Sequence, residues 1–251
     1  MTNSQLTPIE FMSAERTNRE KAFVKEFETN GMVDRILPNS SISYMVFKHV
    51  YGRFSGKIDD PINTSCFEED GFPGPGPTTK PWKDRIYDVA FIVSSLRREV
   101  KGPDIAARIT FKLNARATGS PFKVLVVGDG KTADLGLDFG PCERKKRMDH
   151  SDLMAMLQDV KCVLMTSRFD ASPNLLTEAV SAGCIPILTT NVGNVEIVDP
   201  FFVISSYYEV DEWVLKLEEI LKEETMHDRP HRRDQPFEPL SVKLMTYMQQ
   251  L

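Results

Sequence analysis

The fold is decided by the stretch CVLMTSRFDASPNLLTEAVSAGCIPIL, residues 162–188. Cys162 to Thr166 is a short apolar run that predicts a buried strand, and Ile185 to Leu188 predicts a second one. Between them, Pro173 to Ala182 predicts a helix that begins at a proline and ends before Gly183, as helices commonly do. A strand, a helix and another strand in this order form the crossover unit of a parallel sheet.

The same alternation of apolar runs and amphipathic segments extends outward from this stretch. Further strands are predicted at Val89–Ser94, Phe122–Val127, Leu135–Phe139 and Phe202–Ile204, and further helices at Pro103–Arg116, Ser151–Gln158 and Val210–Glu224. Continuous apolar strands joined by helical crossovers predict an α/β fold with a doubly wound parallel sheet, covered on both faces. Pro186 fits this assignment if the ladder of its strand begins near it, because proline donates no amide hydrogen bond.

Three parts are predicted along the chain. Residues 1–80 form an N-terminal arm in which Ala14–Thr29 predicts an amphipathic helix. The arm ends in the proline- and glycine-rich stretch Gly71–Pro77, which we interpret as a linker because proline lacks the amide that helices and central strands need. Residues 81–225 hold the predicted sheet, and residues 226–251 hold a polar connection and a C-terminal helix.

The composition is that of a globular chain with a sizeable core. Hydrophobic residues make up 41% and charged residues 27% of the sequence, and no apolar run approaches the ~20 residues that span a bilayer. The net charge of −5 does not favour nucleic-acid binding, which depends on neutralising phosphates. One basic run, Arg144 to Arg147, fits a solvated loop better than a polyanion site.

The cysteines give no framework for disulfides or zinc. Cys66, Cys142, Cys162 and Cys184 are scattered and form no closely spaced pair. Cys162 and Cys184 lie in apolar runs, which indicates small core residues. Because the cysteines suggest no disulfide framework, we expect a reducing, cytoplasmic location.

Two turns between a strand and a helix carry candidate chemistry, and the first is Ser94–Pro103. Lys101 and Gly102 stand directly before Pro103, where the free amides of a helix end favour an anion. Gly102 adds room for a close approach, and Arg97 and Arg98 add positive charge. Taken alone, this turn fits a solvated polar loop better than an anion site.

The second turn follows the strand that ends near Thr166. Ser172 is the predicted N-cap of the next helix, with Pro173 as its first residue. Asp170 then lies in the turn, and Glu178 lies one helical turn beyond Asn174 on the same face. Two acids so placed are able to hold two parts of one extended ligand; alternatively, Asp170 faces the helix N-terminus and Glu178 is solvated.

The spacing carries a resemblance. Asp170, seven further residues and Glu178, followed by Ala179–Pro186, resemble the acid-x7-Glu signature of the retaining GT-B glycosyltransferases (glycosyltransferase group 1 or family 4-like). Other stretches that resemble the family, in the same order, are Arg35–Ser40, Pro61–Ser65, Leu96–Gly102, Val126–Gly130 and Val192–Val198. Together they cover most of the chain, and they imply a Rossmann-like donor-binding domain.

The resemblance implies a retaining glycosyltransferase of the hexosyltransferase type. Such an enzyme moves a sugar from a nucleotide diphosphate sugar to an acceptor, here an unknown sugar, lipid or protein. It implies no metal and no cofactor besides the donor substrate. The acceptor-binding half of the family is almost absent, since only residues 1–80 precede the donor domain. The chain is therefore also compatible with a nucleotide-sugar-binding half that needs a partner chain, or with a non-catalytic interaction protein of the same fold.

The resemblance also implies roles for particular residues. Glu178 accepts hydrogen bonds from the ribose hydroxyls, Lys101 meets the diphosphate, and Asp170 lies near the hydroxyls of the donor sugar. Lys101 and Asp170 are the implied catalytic residues. The other implied donor-binding residues are Ser172, the amides of Asn174 and Leu175, and the backbone of Gly140 and Pro141 against the base.

The chain departs from the family at two of these positions. The family usually has a glutamate where Asp170 stands, so this carboxylate is one methylene shorter. The family's phosphate-loop arginine falls on Ser95 or Leu96 in this sequence, and Arg97 or Arg98 is the candidate to replace it.

Overall fold

The computed structural model describes residues 35–36, 43–44, 57–58 and 79–222, with the backbone alone at 35–36, 57–58 and Glu196. Six strands form one sheet: β1 Tyr87–Ser95, β2 Val124–Asp129, β3 Cys142–Lys145, β4 Val160–Met165, β5 Ile185–Thr189 and β6 Val203–Ile204. Their order is 3-2-1-4-5-6, and every neighbouring pair is parallel. This is the order of the doubly wound dinucleotide-binding sheet, and it confirms the predicted fold class.

Among the described residues, three α-helices connect strands of the sheet, namely α1 Pro103–Ala115, α2 His150–Leu157 and α3 Asn174–Ser181, and α4 Val210–Lys222 follows β6. The core lies between the helices and the sheet, where β2, β4 and β5 are almost wholly buried and β1 is buried from Val89 to Ile92. The apolar stripe of α4 shows how the sequence directs this packing. Its buried residues recur at helical spacing: Val210, Trp213, Val214, Leu217 and Ile220.

The predicted third strand is wrong. Leu135–Phe139 alternates apolar residues as a strand does, but Gly136 takes a left-handed conformation at φ 63°, which an extended strand excludes. The chain makes a 3-10 turn at Ala133–Leu135 instead. Phe139 is nonetheless buried, with its ring stacked on Phe91 at 5.9 Å between centroids.

The third strand is Cys142–Lys145, which takes in half of the basic run that was predicted to be a solvated loop. It pairs only with β2 and forms the edge of the sheet. Charged side chains at an edge strand discourage pairing with another chain. Glu143 accepts a hydrogen bond from the Tyr87 hydroxyl at 2.7 Å, so the strand also holds polar contacts across the sheet face.

Pro186 occupies the second position of β5, and β6 pairs with β5 only at Leu188 and Thr189. The proline therefore lies near the start of the hydrogen-bonded ladder of β5, as predicted. Cys162 and Cys184 are fully buried free thiols, as predicted.

Several predictions fall outside the described residues, namely the helix at Ala14–Thr29, the linker at Gly71–Pro77 and the C-terminal helix. Arg35–Ile36 and Lys57–Ile58 are described as a short parallel pair of strands. The domain boundaries near residues 80 and 225 remain predictions. Among residues 79–222, no helix has the length and apolar character of a membrane-spanning segment.

Candidate functional site

A cleft of about 460 Å³ opens where β1 and β4 lie side by side. The chain leaves these two strands toward opposite halves of the sheet, so their carboxyl ends mark the switch point at which such sheets bind ligands. Seven of the predicted site residues border the cleft: Arg98, Lys101, Asp170, Ser172, Asn174, Leu175 and Glu178.

Lys101 and Asp170 meet at the centre of this arrangement. Lys101 ends the 3-10 turn after β1, and Asp170 follows β4. The ammonium of Lys101 donates to Oδ2 of Asp170, and the two side chains are only 20% and 15% exposed. A cation and an anion from different loops are thereby held together at the switch point.

The approach of the two loops depends on Gly102. This residue has φ 66°, and a Cβ atom there would lie 1.9 Å from the carbonyl oxygen of Thr166. The hydroxyl of Thr166 donates to the carbonyl of Gly102 at 2.8 Å. Only glycine allows this contact, because it alone lacks the Cβ and adopts positive φ readily.

Arg168 also links the same two loops through hydrogen bonds. Its guanidinium donates to both oxygens of Asp104 at 2.9 and 2.6 Å, and its amide donates to the carbonyl of Val100 at 2.8 Å. The guanidinium also lies over the ring of Tyr207, 5.4 Å from its centroid. The start of α1 is thus engaged with Arg168, and Pro103 to Ala106 do not border the cleft. The amides at the start of α1 therefore do not line this cleft.

The start of α3 supplies that helix end instead. Pro173, and not Ser172, occupies the N-cap position, and no side chain caps the first amides of the helix. The predicted cap at Ser172 is wrong by one residue, because the hydroxyl of Ser172 accepts from Nδ2 of Asn194 at 3.2 Å. The uncapped amides at Asn174 and Leu175 border the cleft, where an anion is favoured.

Glu178 lies one turn further along α3, opposite His150. Its Oε1 is 3.2 Å from Nδ1 of His150, and its side chain is 11% exposed. Burial raises the pKa of Glu178, and His150 partly opposes that shift. The carboxylate is therefore a shielded acceptor with one partner, and its second oxygen has none among the described contacts.

Three predicted residues are not brought to the cleft. Arg97 is exposed and does not border it, whereas Arg98 does. Gly140 and Pro141 directly precede β3, so they lie at the amino edge of the sheet, opposite the site.

The true end of β3 brings residues that the sequence analysis missed. Arg147, Met148, Asp149 and His150 follow β3 and border the cleft. The signal was present, since residues between a strand and the helix predicted at Ser151 belong at the carboxyl edge. These residues were missed because the polar edge strand β3 was interpreted as a loop. Within residues 79–222, no group of three or more potential metal-ligating side chains occurs.

The model of the family Glycosyl transferases group 1 matches residues 81–235, more than half of the chain. The chain belongs to this family of glycosyltransferases. The resemblance stated from the motifs is thereby confirmed at the level of the family. No curated protein matches this family member significantly.

Solved structures of GT-B glycosyltransferases share its fold. A sucrose-phosphate synthase from Thermosynechococcus elongatus aligns with TM-score 0.65 and 12% identity, over 98% of this chain and 63% of that one. A UDP-forming α,α-trehalose-phosphate synthase from Burkholderia xenovorans aligns with TM-score 0.64 and 16% identity, over 95% and 65%. The GtfA/B complex gives TM-score 0.56 and 17% identity, over 82% and 42%. The chain thus spans from 42% to 65% of these transferases.

Proposed function

We propose that the chain binds a nucleotide diphosphate sugar in this cleft and transfers the sugar with retention, as a metal-independent hexosyltransferase. The contact between Lys101 and Asp170 at the switch point carries the proposal. It puts a cation and a carboxylate in the same cleft that Asn174 and Leu175, at the uncapped start of α3, also border. The family membership of the chain supports sugar transfer as the reaction class.

The diphosphate takes Lys101 as its partner, together with the amides of Asn174 and Leu175. Asp170 pairs with Lys101, so a diphosphate that binds the ammonium competes with the carboxylate and releases it. The freed Asp170 then accepts from hydroxyls of the donor sugar. Glu178 accepts from the ribose cis-diol, for which the two oxygens of a carboxylate are suited.

Transfer breaks the bond between the anomeric carbon and the phosphate oxygen. The nucleoside diphosphate leaves with the electron pair, and the acceptor oxygen binds the anomeric carbon while its proton passes to the departing phosphate. Negative charge grows on the leaving group as this bond breaks. Lys101 and the α3 amides are fixed before the reaction, which is how an electrostatic site lowers a barrier.

A ligand series tests the proposal. We expect Lys101→Ala to weaken binding of a nucleoside diphosphate and of its sugar by about 1.5–3 kcal/mol, and to leave binding of the bare nucleoside almost unchanged. Arg98→Ala and Arg97→Ala form a matched pair, because only Arg98 borders the cleft. Calorimetry at fixed ionic strength, with and without EDTA, measures all three ligand classes. Equal weakening of every ligand, or loss of binding on chelation, contradicts the proposal.

A second candidate is a donor-binding half that transfers only with a partner chain. The limited span of the chain against the solved transferases favours it, and the GtfA/B neighbour is itself a complex. Donor binding without hydrolysis or transfer by the purified chain would support this candidate over the self-sufficient enzyme.

A further inference from the structure

His150 reaches across the cleft to the carboxylate on α3. It is the first residue of α2, and its Nδ1 lies 3.2 Å from Oε1 of Glu178. The imidazole is 63% exposed and the carboxylate 11% exposed. Both side chains border the cleft. A shielded carboxylate without a donor is unfavourable, so this contact orients Glu178 as well as satisfying it.

The backbone of His150 is fixed independently of its ring. Asp149 caps α2, accepting from the amide of Asp152 at 3.0 Å and from the hydroxyl of Ser151 at 2.9 Å. The imidazole takes no part in these bonds. Substitutions of the His150 side chain therefore leave the cap in place, so their effects on the carboxylate are separable from effects on the helix.

We propose that His150 is a positioning residue for ribose recognition, and this inference rests on the proposed function. By donating to Oε1, it sets the plane of the Glu178 carboxylate so that the remaining acceptor positions face the nucleotide. A carboxylate offers about four acceptor positions, and His150 uses one of them. The imidazole and a cis-diol are therefore able to bind Glu178 at the same time.

Two variants of His150 separate orientation from mere presence of the ring. His150→Ala removes the donor, whereas His150→Asn places an amide donor near the position of Nδ1. The probes are the diphosphate of uridine, guanosine or adenosine that the wild type binds best, and its 2′-deoxy counterpart. We expect His150→Ala to weaken binding of the ribose form about three- to tenfold, and His150→Asn to restore it to within about twofold.

Combining His150→Ala with Glu178→Ala shows whether His150 acts on ligand binding through Glu178. If His150 acts through Glu178, His150→Ala adds no further loss in that background, and its effect shrinks for the 2′-deoxy ligand, which lacks one of the hydroxyls. Thermal unfolding of each variant confirms that the chain remains folded. Calorimetric titration gives the affinities.

Several outcomes overturn the inference. Tighter binding by His150→Ala would mean that the imidazole blocks the site, and an equal loss in the Glu178→Ala background would mean that His150 acts alone. If the wild type binds a diphosphate and Glu178→Ala weakens it while His150→Ala does not, only the inference fails. If the wild type binds no nucleoside diphosphate, the proposed function itself fails.

Discussion

Gly102 occupies a position that accepts no side chain. A Cβ there would meet the Thr166 carbonyl oxygen at 1.9 Å and the Tyr207 hydroxyl at 2.6 Å, on a backbone with φ 66°. We therefore expect Gly102→Ala to lower the free energy of unfolding by about 3 kcal/mol or more, from backbone strain and from displacement of the loop. Urea denaturation measures the change.

Substitutions at two other glycines separate backbone strain from displacement of the loop as causes of the expected loss of stability. Gly136 has φ 63° with nothing within 4 Å of a Cβ atom, so Gly136→Ala tests backbone strain alone and should cost about 1 kcal/mol. Gly119 has open space and no positive φ, so Gly119→Ala should be nearly neutral. A Gly102→Ala effect no larger than that of Gly136→Ala would show that the two loops yield easily.

Glu178 makes ligand-free stability depend on pH. Burial raises its pKa above the ordinary 4.5, with His150 opposing. Ionisation is then less favourable in the folded chain than in the unfolded one, so the stability contributed by the neutral form is present below pH 4.5 and lost as the pH rises through the raised pKa. We expect Glu178→Gln to be more stable than the wild type at pH 7 and equal to it near about pH 4.

Urea denaturation at both pH values tests this expectation. A Glu178→Gln variant that is less stable at pH 7 would show that the contact with His150 outweighs the burial of the charge.

At the scale of elements, Arg85 joins the ends of two helices to a strand. It is 6% exposed and precedes β1. Its guanidinium donates to the carbonyls of Val160 at 2.5 Å and Ala182 at 2.7 Å, and at 3.4 Å to that of Leu157, the last residue of α2. Positive charge is favourable at helix carboxyl ends. Arg85→Met keeps the apolar stem but removes the guanidinium that pairs with the carbonyls of Val160 and Ala182, so we expect a loss of about 3–5 kcal/mol in unfolding free energy.

Arg116→Met is the matched control. Arg116 forms an ion pair with Glu218 at 2.9 Å on the surface, where such pairs contribute little. Similar losses for both variants, measured by denaturant unfolding, would contradict the role given to Arg85.

The strands explain which elements the sequence predicts and which it conceals. β1, β2, β4 and β5 are buried, so their residues are continuous apolar runs that are easy to find. The edge strand β3 reads Cys-Glu-Arg-Lys, because one side of it has no neighbour and charge protects it. No pattern of hydrophobicity distinguishes such a strand from a polar loop.

The residues of the candidate site were predicted or missed for the same reason as the strands that carry them. Residues after β1 and β4 were found because these strands were found and because Asp170 and Glu178 have a recognisable spacing. His150 was missed because its place at the cleft depends on where β3 lies. The pairing of Lys101 with Asp170 was also not predictable, since it is a contact between distant loops that only the assembled sheet creates.

At the scale of the whole molecule, the buried thiols report on global opening. Burial raises the pKa of Cys184 to about 12 and that of Cys162 well above its ordinary value. Because only the thiolate reacts, alkylation of either requires the interior of the sheet to open. We expect both to label about 100-fold or more slowly than Cys142, which is half-buried on the edge strand.

Mass spectrometry of cysteine-containing peptides after timed alkylation measures these rates. Labelling of Cys162 as fast as Cys142 would show that β4 opens locally, without unfolding of the molecule.

The contacts that Arg168 and Gly102 make between the two loops affect the entropy change of ligand binding. Loops that carry binding groups often remain disordered until a ligand arrives, and the ligand then bears the entropic penalty of ordering them. Here the segments that carry Lys101 and Asp170 are hydrogen-bonded to each other by the protein's own groups. The ordering penalty is met during folding, so a ligand that displaces Asp170 from Lys101 encounters a rigid receptor whose affinity is set by contacts and not by closure.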